Sequence, residues 1–399
     1  MNKKKVILLL SIKVREFDFQ RYDLYEFEKH KNYEIEAHEL IEYVHPGFST
    51  VFTKKFSSEK VKKFSTFLNW KDEILKQKKK YKDNLLIINE IQCTNLRSLK
   101  INFFLKRQDF CTINFSLSTH PSNAQLSFVK KINWLFKNLI SNKKKILLFL
   151  EKKISSIFYK ILNLQSKYLL IFNKNYLSNT NFKKGSSIIL EGNNRDYNMF
   201  LKNKDIVEEK KRYGIFFYSF TPAHNIGDSF INGDNQSIKG TKLNWLNSVN
   251  RFLRLVENKL NIEILIAPHP KIEYLNNKLE IYGGRELISG KLFQSAKNAK
   301  LIISRDSSGA AFAAIYKIPA IFIFTNELKN LKTNFLDHQK KFANEFGVTP
   351  VNIDEKIPDI RLKELLKFKN NYYSNYINKY CSARNDNKVN FEVISKILE

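Results

Sequence analysis

His269 stands between Pro268 and Pro270 at the end of the apolar run "NIEILIAPHPK" (261–271). Proline fixes its own φ and pushes the residue before it toward extended backbone, so the imidazole is held at a strand exit and kept out of any helix. There it can donate to a phosphate or a carboxylate, although a histidine capping a tight turn has the same spelling. A second stretch follows, "SAKNAKLIISRDSSGAAFAAIYKIPAIFIFTNE" (295–327), in which the strand "AKLIIS" leads through Ser307, Ser308 and Gly309 into a helix of small residues. Free N–H groups at a helix start, joined by two hydroxyls, suit an anion. Serine is also the ordinary cap at such a place. The two motifs occupy successive strand–helix units, and together they are more specific than either alone.

These residues need elements to position them. Short apolar runs recur along the chain: 5–12, 84–90, 110–118, 168–173, 186–192, 214–221, 262–268, 299–304 and 319–325. Helical patterns lie between them, at 57–80, 123–141, 240–259, 291–298 and 307–316. Continuous apolar strands separated by helices predict parallel sheets covered on both faces, an α/β class. In such sheets ligands bind beyond the carboxyl ends of the strands, where both motifs fall. The 399 residues suit two domains. The charged connector "LKNKDIVEEKKRYG" (201–214) separates a Lys-, Phe- and Asn-rich first part from a second part holding most of the Gly and Ala. The expected domains are therefore 1–205 and 206–399.

Lys and Arg number 68 against 39 Asp and Glu, a net charge of +29, so anionic partners come into consideration. Abundant Lys, Asn, Ile and Phe also match A/T-rich coding, and lysines in water need no ligand. Cys93, Cys111 and Cys381 are far apart and form no CxxC, which predicts neither a disulfide framework nor a zinc site. The N-terminal "VILLLSI" is too short for a signal sequence and reads as a first strand. No run approaches the ~18 apolar residues of a membrane span, so the chain is expected to be cytoplasmic, at most peripheral on the inner face of the membrane. The segment 128–168 mixes Lys with Phe, Trp and Leu. It fits a basic amphipathic helix pair on an anionic lipid surface, or a surface helix of the first domain.

With these residues in view, 262–326 resembles the C-terminal domain of GT-B glycosyltransferases that build bacterial surface polysaccharides. His269-Pro270 resembles the "HP" motif of bacterial sialyltransferases, and Ser307-Ser308 their downstream "SS" or "ST" motif. The stretch 282–325 is also similar to uncharacterised proteins of surface-carbohydrate gene clusters, with Lys317-Ile318-Pro319 in place of a tight "KP". The resemblance implies a GT-B fold, with two facing Rossmann-like domains and parallel sheets. It further implies a nucleotide-sugar donor, with CMP-sialic acid or a similar CMP-sugar favoured, and a glycan or glycolipid acceptor. It assigns His269, Pro270, Ser307, Ser308 and Gly309 to the donor phosphate. The acidic motif that supplies the base in many sialyltransferases is absent from the first part.

A transfer of this kind needs a general base near the acceptor hydroxyl. Glu90, ending "NLLIINE", and Glu191, ending "SSIILEG", hold strand exits and rank first as catalytic candidates beside His269. His45 and His120 are further Pro-flanked histidines. Thr221 and His224 follow a strand exit in "FTPAHNIGD" (220–228), and Arg285 follows Gly283 and Gly284; all three are candidate donor contacts. No DxD-type pair stands at a strand exit, so the expected enzyme is metal-independent and has no cofactor. The competing readings are a UDP-sugar 2-epimerase-like enzyme and a non-enzymatic basic protein binding lipid or nucleic acid. No nucleic-acid-binding signature is present.

Overall fold

The computed structural model describes residues 3–47, 58–116, 143–173, 186–204, 213–218, 242–268, 283–288, 292–305, 307–327, 335–357 and 363–399. Twelve strands fall within these residues: β1 (Lys4–Leu10), β2 (Tyr33–Glu39), β3 (Val61–Lys63), β4 (Leu85–Asn89), β5 (Thr112–Phe115), β6 (Tyr168–Ile171), β7 (Ile188–Glu191), β8 (Tyr213–Tyr218), β9 (Glu263–Pro268), β10 (Ala299–Ser304), β11 (Ala320–Phe324) and β12 (Val351–Asn352). Thirteen α-helices accompany them: α1 (Glu16–Arg21), α2 (Leu24–Lys29), α3 (Ile41–Val44), α4 (Phe67–Tyr81), α5 (Leu96–Arg107), α6 (Lys143–Ile161), α7 (Arg195–Lys202), α8 (Lys242–Leu260), α9 (Leu292–Lys297), α10 (Ala311–Tyr316), α11 (Phe335–Glu345), α12 (Asn370–Tyr376) and α13 (Asn390–Ile394).

The strands form two sheets, ordered β3-β2-β1-β4-β5-β6-β7 and β12-β11-β10-β8-β9, and every pairing is parallel. The first continues the doubly wound order of dinucleotide-binding sheets; the second, counted from β8, has the 2-1-3-4-5 order of flavodoxin-like sheets. Apolar runs explain the layering. Successive residues of β1 point to opposite faces, so Val6, Leu8 and Leu10 join one core while Ile7 and Leu9 join the other. In β10, Ile302 packs on one face and Leu301 and Ile303 on the other.

Two chain crossings join the sheets. After β7 the chain passes through Gly192–Asn194 into α7, whose Tyr197 and Phe200 pack on the core of the second sheet. The last residues cross back: Phe391 stacks on His30 at 4.5 Å, and Ile394 and Leu398 enter a core of the first sheet. The crossings are bonded to each other. Asn194 N–H donates to the Cys381 carbonyl at 2.7 Å, Ala383 N–H to that of Gly192 at 3.0 Å, and Asn390 Nδ2 to that of Asn193 at 2.8 Å. Among the described residues, no helix is long and apolar enough to cross a membrane.

Candidate functional site

The carboxyl ends of both sheets meet at a cavity of about 130 Å³. Phe115 and Ser116 reach it from the end of β5, and Phe172 from the end of β6. Phe17 and Arg21 come from α1, and Asn194, Arg195 and Asp196 from the start of α7. Ser308 closes it from beyond β10. This is where ligands sit in open α/β sheets, at strand exits beside the reversal of strand order, which in the second sheet lies between β8 and β10.

On the second sheet, Ser307 is the cap of the turn that opens α10. Its hydroxyl accepts from Gly309 N–H at 3.2 Å, its own N–H donates to Ser304 Oγ at 3.1 Å, and its carbonyl accepts from Ala310 N–H at 3.0 Å. The N–H groups that the sequence offers to an anion are thus largely engaged within the turn. Ser308 differs: it is exposed, and its hydroxyl has no partner among the described residues. Gly309 is buried against Phe217, and the alanines of α10 lie nearly without exposure on the sheet.

On the first sheet, the positioning is done by α7. Asn194 caps it, accepting from Tyr197 N–H at 2.9 Å. Asn198 donates from Nδ2 to both oxygens of buried Asp23 at 3.0 Å, and Lys202 bonds the same carboxylate at 2.5 Å. Asn390 N–H adds a bond to Asn198 Oδ1 at 2.8 Å. Braced this way, the first turn of α7 presents Arg195 and Asp196 to the cavity. Arg195 lies over the Phe17 ring at 3.8 Å and approaches Asp196 Oδ1 at 3.6 Å, and its buried Nε has no partner. Burial raises the Asp196 carboxyl above its usual range, against the pull of Arg195 and Arg21. Burial likewise lowers the Arg195 guanidinium, with Arg21 adding to the effect and Asp196 opposing it.

The sequence-predicted residues fall in several places. Glu90 follows β4 and is buried. Its carboxylate accepts from Phe115 N–H at 2.9 Å, Tyr22 Oη at 3.2 Å and Asn114 Nδ2 at 3.3 Å. Burial pushes it up to about 7, although the Phe115 N–H, Arg21 and Tyr22 pull it down. It sits behind Arg21 and does not line the cavity. Glu191 ends the edge strand β7 and is exposed, away from the cavity. Arg285 is turned toward α8, donating to Glu257 at 2.7 and 2.6 Å and to Asn250 at 3.0 Å. Gly283 makes room for it, since a Cβ there would lie 2.8 Å from Arg285 Nη1. His45 is pushed down to about 4 by burial and by Arg97. Pro268 ends β9, whereas His269, Pro270, Thr221, His224 and His120 lie outside the described residues. Among the described residues, no three His, Cys, Asp or Glu side chains gather to hold a metal ion.

The sequence reading missed Arg21, Arg195 and Asp196. Its available signal was the cap-like "NNRDY" (193–197), which marks a helix start directly after a predicted strand exit.

No protein-family model matches the chain, and no curated protein matches it in sequence. Solved structures match over almost the whole length. A variant of the wall teichoic acid polymerase TagF superposes with a TM-score of 0.52 at 11% identity, over 99% of this chain and 88% of that one. The MnaA–UDP co-structure from S. aureus superposes with a TM-score of 0.51 at 13% identity, over 99% of this chain and 96% of that one. At such identities the likeness establishes the fold alone. The chain has the GT-B fold, with two facing parallel-sheet units.

Proposed function

We propose that this protein is a glycosyltransferase that moves a sugar from a nucleotide-sugar donor to a surface glycan such as a capsule or lipopolysaccharide. One observation carries the reading: the unpartnered hydroxyl of Ser308 opens onto the same cavity between the sheets as Arg21, Arg195 and Asp196. The fold it shares with a teichoic acid polymerase and with a UDP-bound protein is consistent with it. The pairing of His269-Pro270 with Ser307-Ser308 favours a CMP-linked sugar, with Thr221 and His224 as further donor contacts.

In this reading Asp196 is the base. It takes the proton of the acceptor hydroxyl, the hydroxyl oxygen bonds to the anomeric carbon, and the bond from that carbon to the nucleotide phosphate breaks. The electron pair leaves with the phosphate, where the Ser308 hydroxyl donates to the developing charge. Glu90, fixed by three donors, positions Tyr22 and the Phe115 backbone behind the site.

We further propose peripheral attachment to anionic lipid through α6. This helix turns Ser155, which is fully buried, toward α5, and leaves an apolar stripe in water: Leu147 is 66% exposed, Ile157 54% and Ile161 70%, with Leu150, Ile154 and Phe158 between them. Lys152, Lys153 and Lys160 are exposed on the same helix, and the chain carries +29. A solvent-facing apolar stripe with basic neighbours suits an anionic membrane surface.

Calorimetric titration with CMP, UDP and GDP tests the transferase reading. At least one nucleotide is expected to bind. Ser307→Asp preserves the cap and should bind much as the parent does. Ser308→Asp places a carboxylate in the cavity and should weaken binding at least about tenfold, some 1.4 kcal/mol. No nucleotide binding, or equal binding by Ser308→Asp, would sink the reading.

A further inference from the structure

The cavity carries an imbalance of charge. The Arg21 side chain has no hydrogen bond or ion pair among the described residues; its one ring contact there is with Tyr22 at 5.4 Å. Arg195 has only the 3.6 Å approach to Asp196 and its stacking on Phe17. The Asp196 carboxylate, 16% exposed, accepts no hydrogen bond from the described residues. The neighbouring groups cancel, are neutral or, for Glu90, carry only part of a charge. Asp18 is held bidentately by Arg15, at 3.1 and 2.9 Å. Glu90, pushed up to about 7, is about half ionised at neutral pH. Tyr376 and Cys381, which feel Asp196 from the C-terminal return, are raised by burial and stay neutral. Two guanidiniums thus outweigh the Asp196 carboxylate and a partly ionised Glu90, and a net positive charge faces a half-enclosed space. Arginine forks in such a place match a planar or tetrahedral oxyanion.

We propose that Arg21 and Arg195 form an oxyanion subsite for the acceptor, so that the glycan this protein extends carries its own carboxylate or phosphate group next to the hydroxyl that is glycosylated. Bound there, the anion offsets the positive excess and sets the acceptor beside Asp196. The assignment of this anion to the acceptor rests on the transferase reading; the existence of the arginine subsite does not.

Sulfate is the probe, titrated calorimetrically at ionic strength held constant with chloride, first on the protein alone. The expected result is one sulfate site. Arg21→Gln and Arg195→Gln should each weaken it about tenfold or more, the loss of a charge-assisted pair, and the exposed Arg254→Gln should leave it unchanged. Arg195→Lys, which keeps a cation over Phe17, covers the case in which Arg195→Gln fails to fold. Asp196→Asn should tighten sulfate severalfold by removing a like charge. No sulfate site, or a site indifferent to both arginines, overturns the proposal. A second arm repeats the titration with a saturating nucleotide. Sulfate that still binds supports the acceptor assignment, and sulfate displaced by the nucleotide overturns it, because the arginines then hold the donor phosphate. Glucuronate against glucose supplies the same comparison for carboxylate, with only glucuronate expected to compete with sulfate. If no nucleotide binds at all, the transferase reading fails while the first arm still decides the arginine subsite.

Discussion

Gly309 lies so close to Phe217 that a Cβ added to it would sit 2.1 Å from Cε1 of the ring. The turn that carries Ser308 thus rests directly on the aromatic end of β8, and glycine alone fits between. Gly309→Ala should cost about 1–3 kcal/mol of stability through overpacking and should move Ser308, weakening nucleotide binding as well. Combining it with Phe217→Leu should recover part of both losses. Thermal melts and nucleotide titrations of the two single variants and the double variant check this. Strict additivity of the two changes would contradict the contact.

Asp196 must be ionised to accept a proton, so turnover should rise with pH through its carboxyl. Burial places that midpoint above the ordinary aspartate value of 3.8. Asp196→Asn should lower kcat about 10²-fold or more, abolish the acid limb of the pH profile and leave nucleotide affinity unchanged. A variant that keeps the acid limb would assign it to another group.

Glu90 makes a distinct prediction for stability. Its folded value of about 7 lies above its unfolded value of 4.5, so between these pH values the folded state holds more protons than the unfolded one. The stability present below pH 4.5 is therefore lost as pH rises through 7, by about 3 kcal/mol in all. Glu90→Gln keeps an acceptor oxygen for the Phe115 N–H and turns an N–H donor toward the Tyr22 hydroxyl oxygen. It should raise the melting temperature at pH 8 and change it little at pH 5. Equal shifts at both pH values would mean that the carboxyl is not held neutral.

For α6, replacing Leu147, Ile154 and Ile161 together with Gln removes apolar side chains that are already in water, so the fold should be unaffected. Co-sedimentation with vesicles containing anionic lipid should fall several-fold, and that of the parent should weaken with salt. Unchanged sedimentation would reject the membrane assignment. A change from dimer to monomer on the same substitution would show the stripe to be a contact between copies.

Nine strands could be read directly from the sequence because each stands out as a short, mainly apolar run, most of them buried on both faces and β7 alone half-exposed at the sheet edge. The strand β2 was not, since "YEIEAHE" alternates charge with apolar residues. It is nonetheless buried, because Lys5 pairs with Glu36 at 3.0 Å and His38 with Glu36 at 2.7 Å. Helix 57–80 was placed too early: Val61–Lys63 pairs with β2 as a strand, and the helix starts at Phe67 after its Thr66 cap. Ser308 could be read because it follows a strand exit within one strand–helix unit. The cavity's other wall could not. Arg21 and Asp196 are far apart in the chain, each on a short helix, and only the approach of the start of α7 to α1, where Arg195 lies over Phe17 at 3.8 Å, brings them to one space.

The return of the chain end bears on how the protein is made. Phe391, Ile394 and Leu398 complete a core of the first sheet, and Phe391 lies against Phe27 and His30. They leave a ribosome only after every strand of the second sheet has done so. The unit whose strands emerge first is therefore finished last, and its flank stays bare while the whole second sheet is synthesised. During that interval its apolar surface is available to chaperones and to aggregation. A stop codon in place of Asn390 would leave the protein in that nascent condition permanently, with both sheets encoded in full.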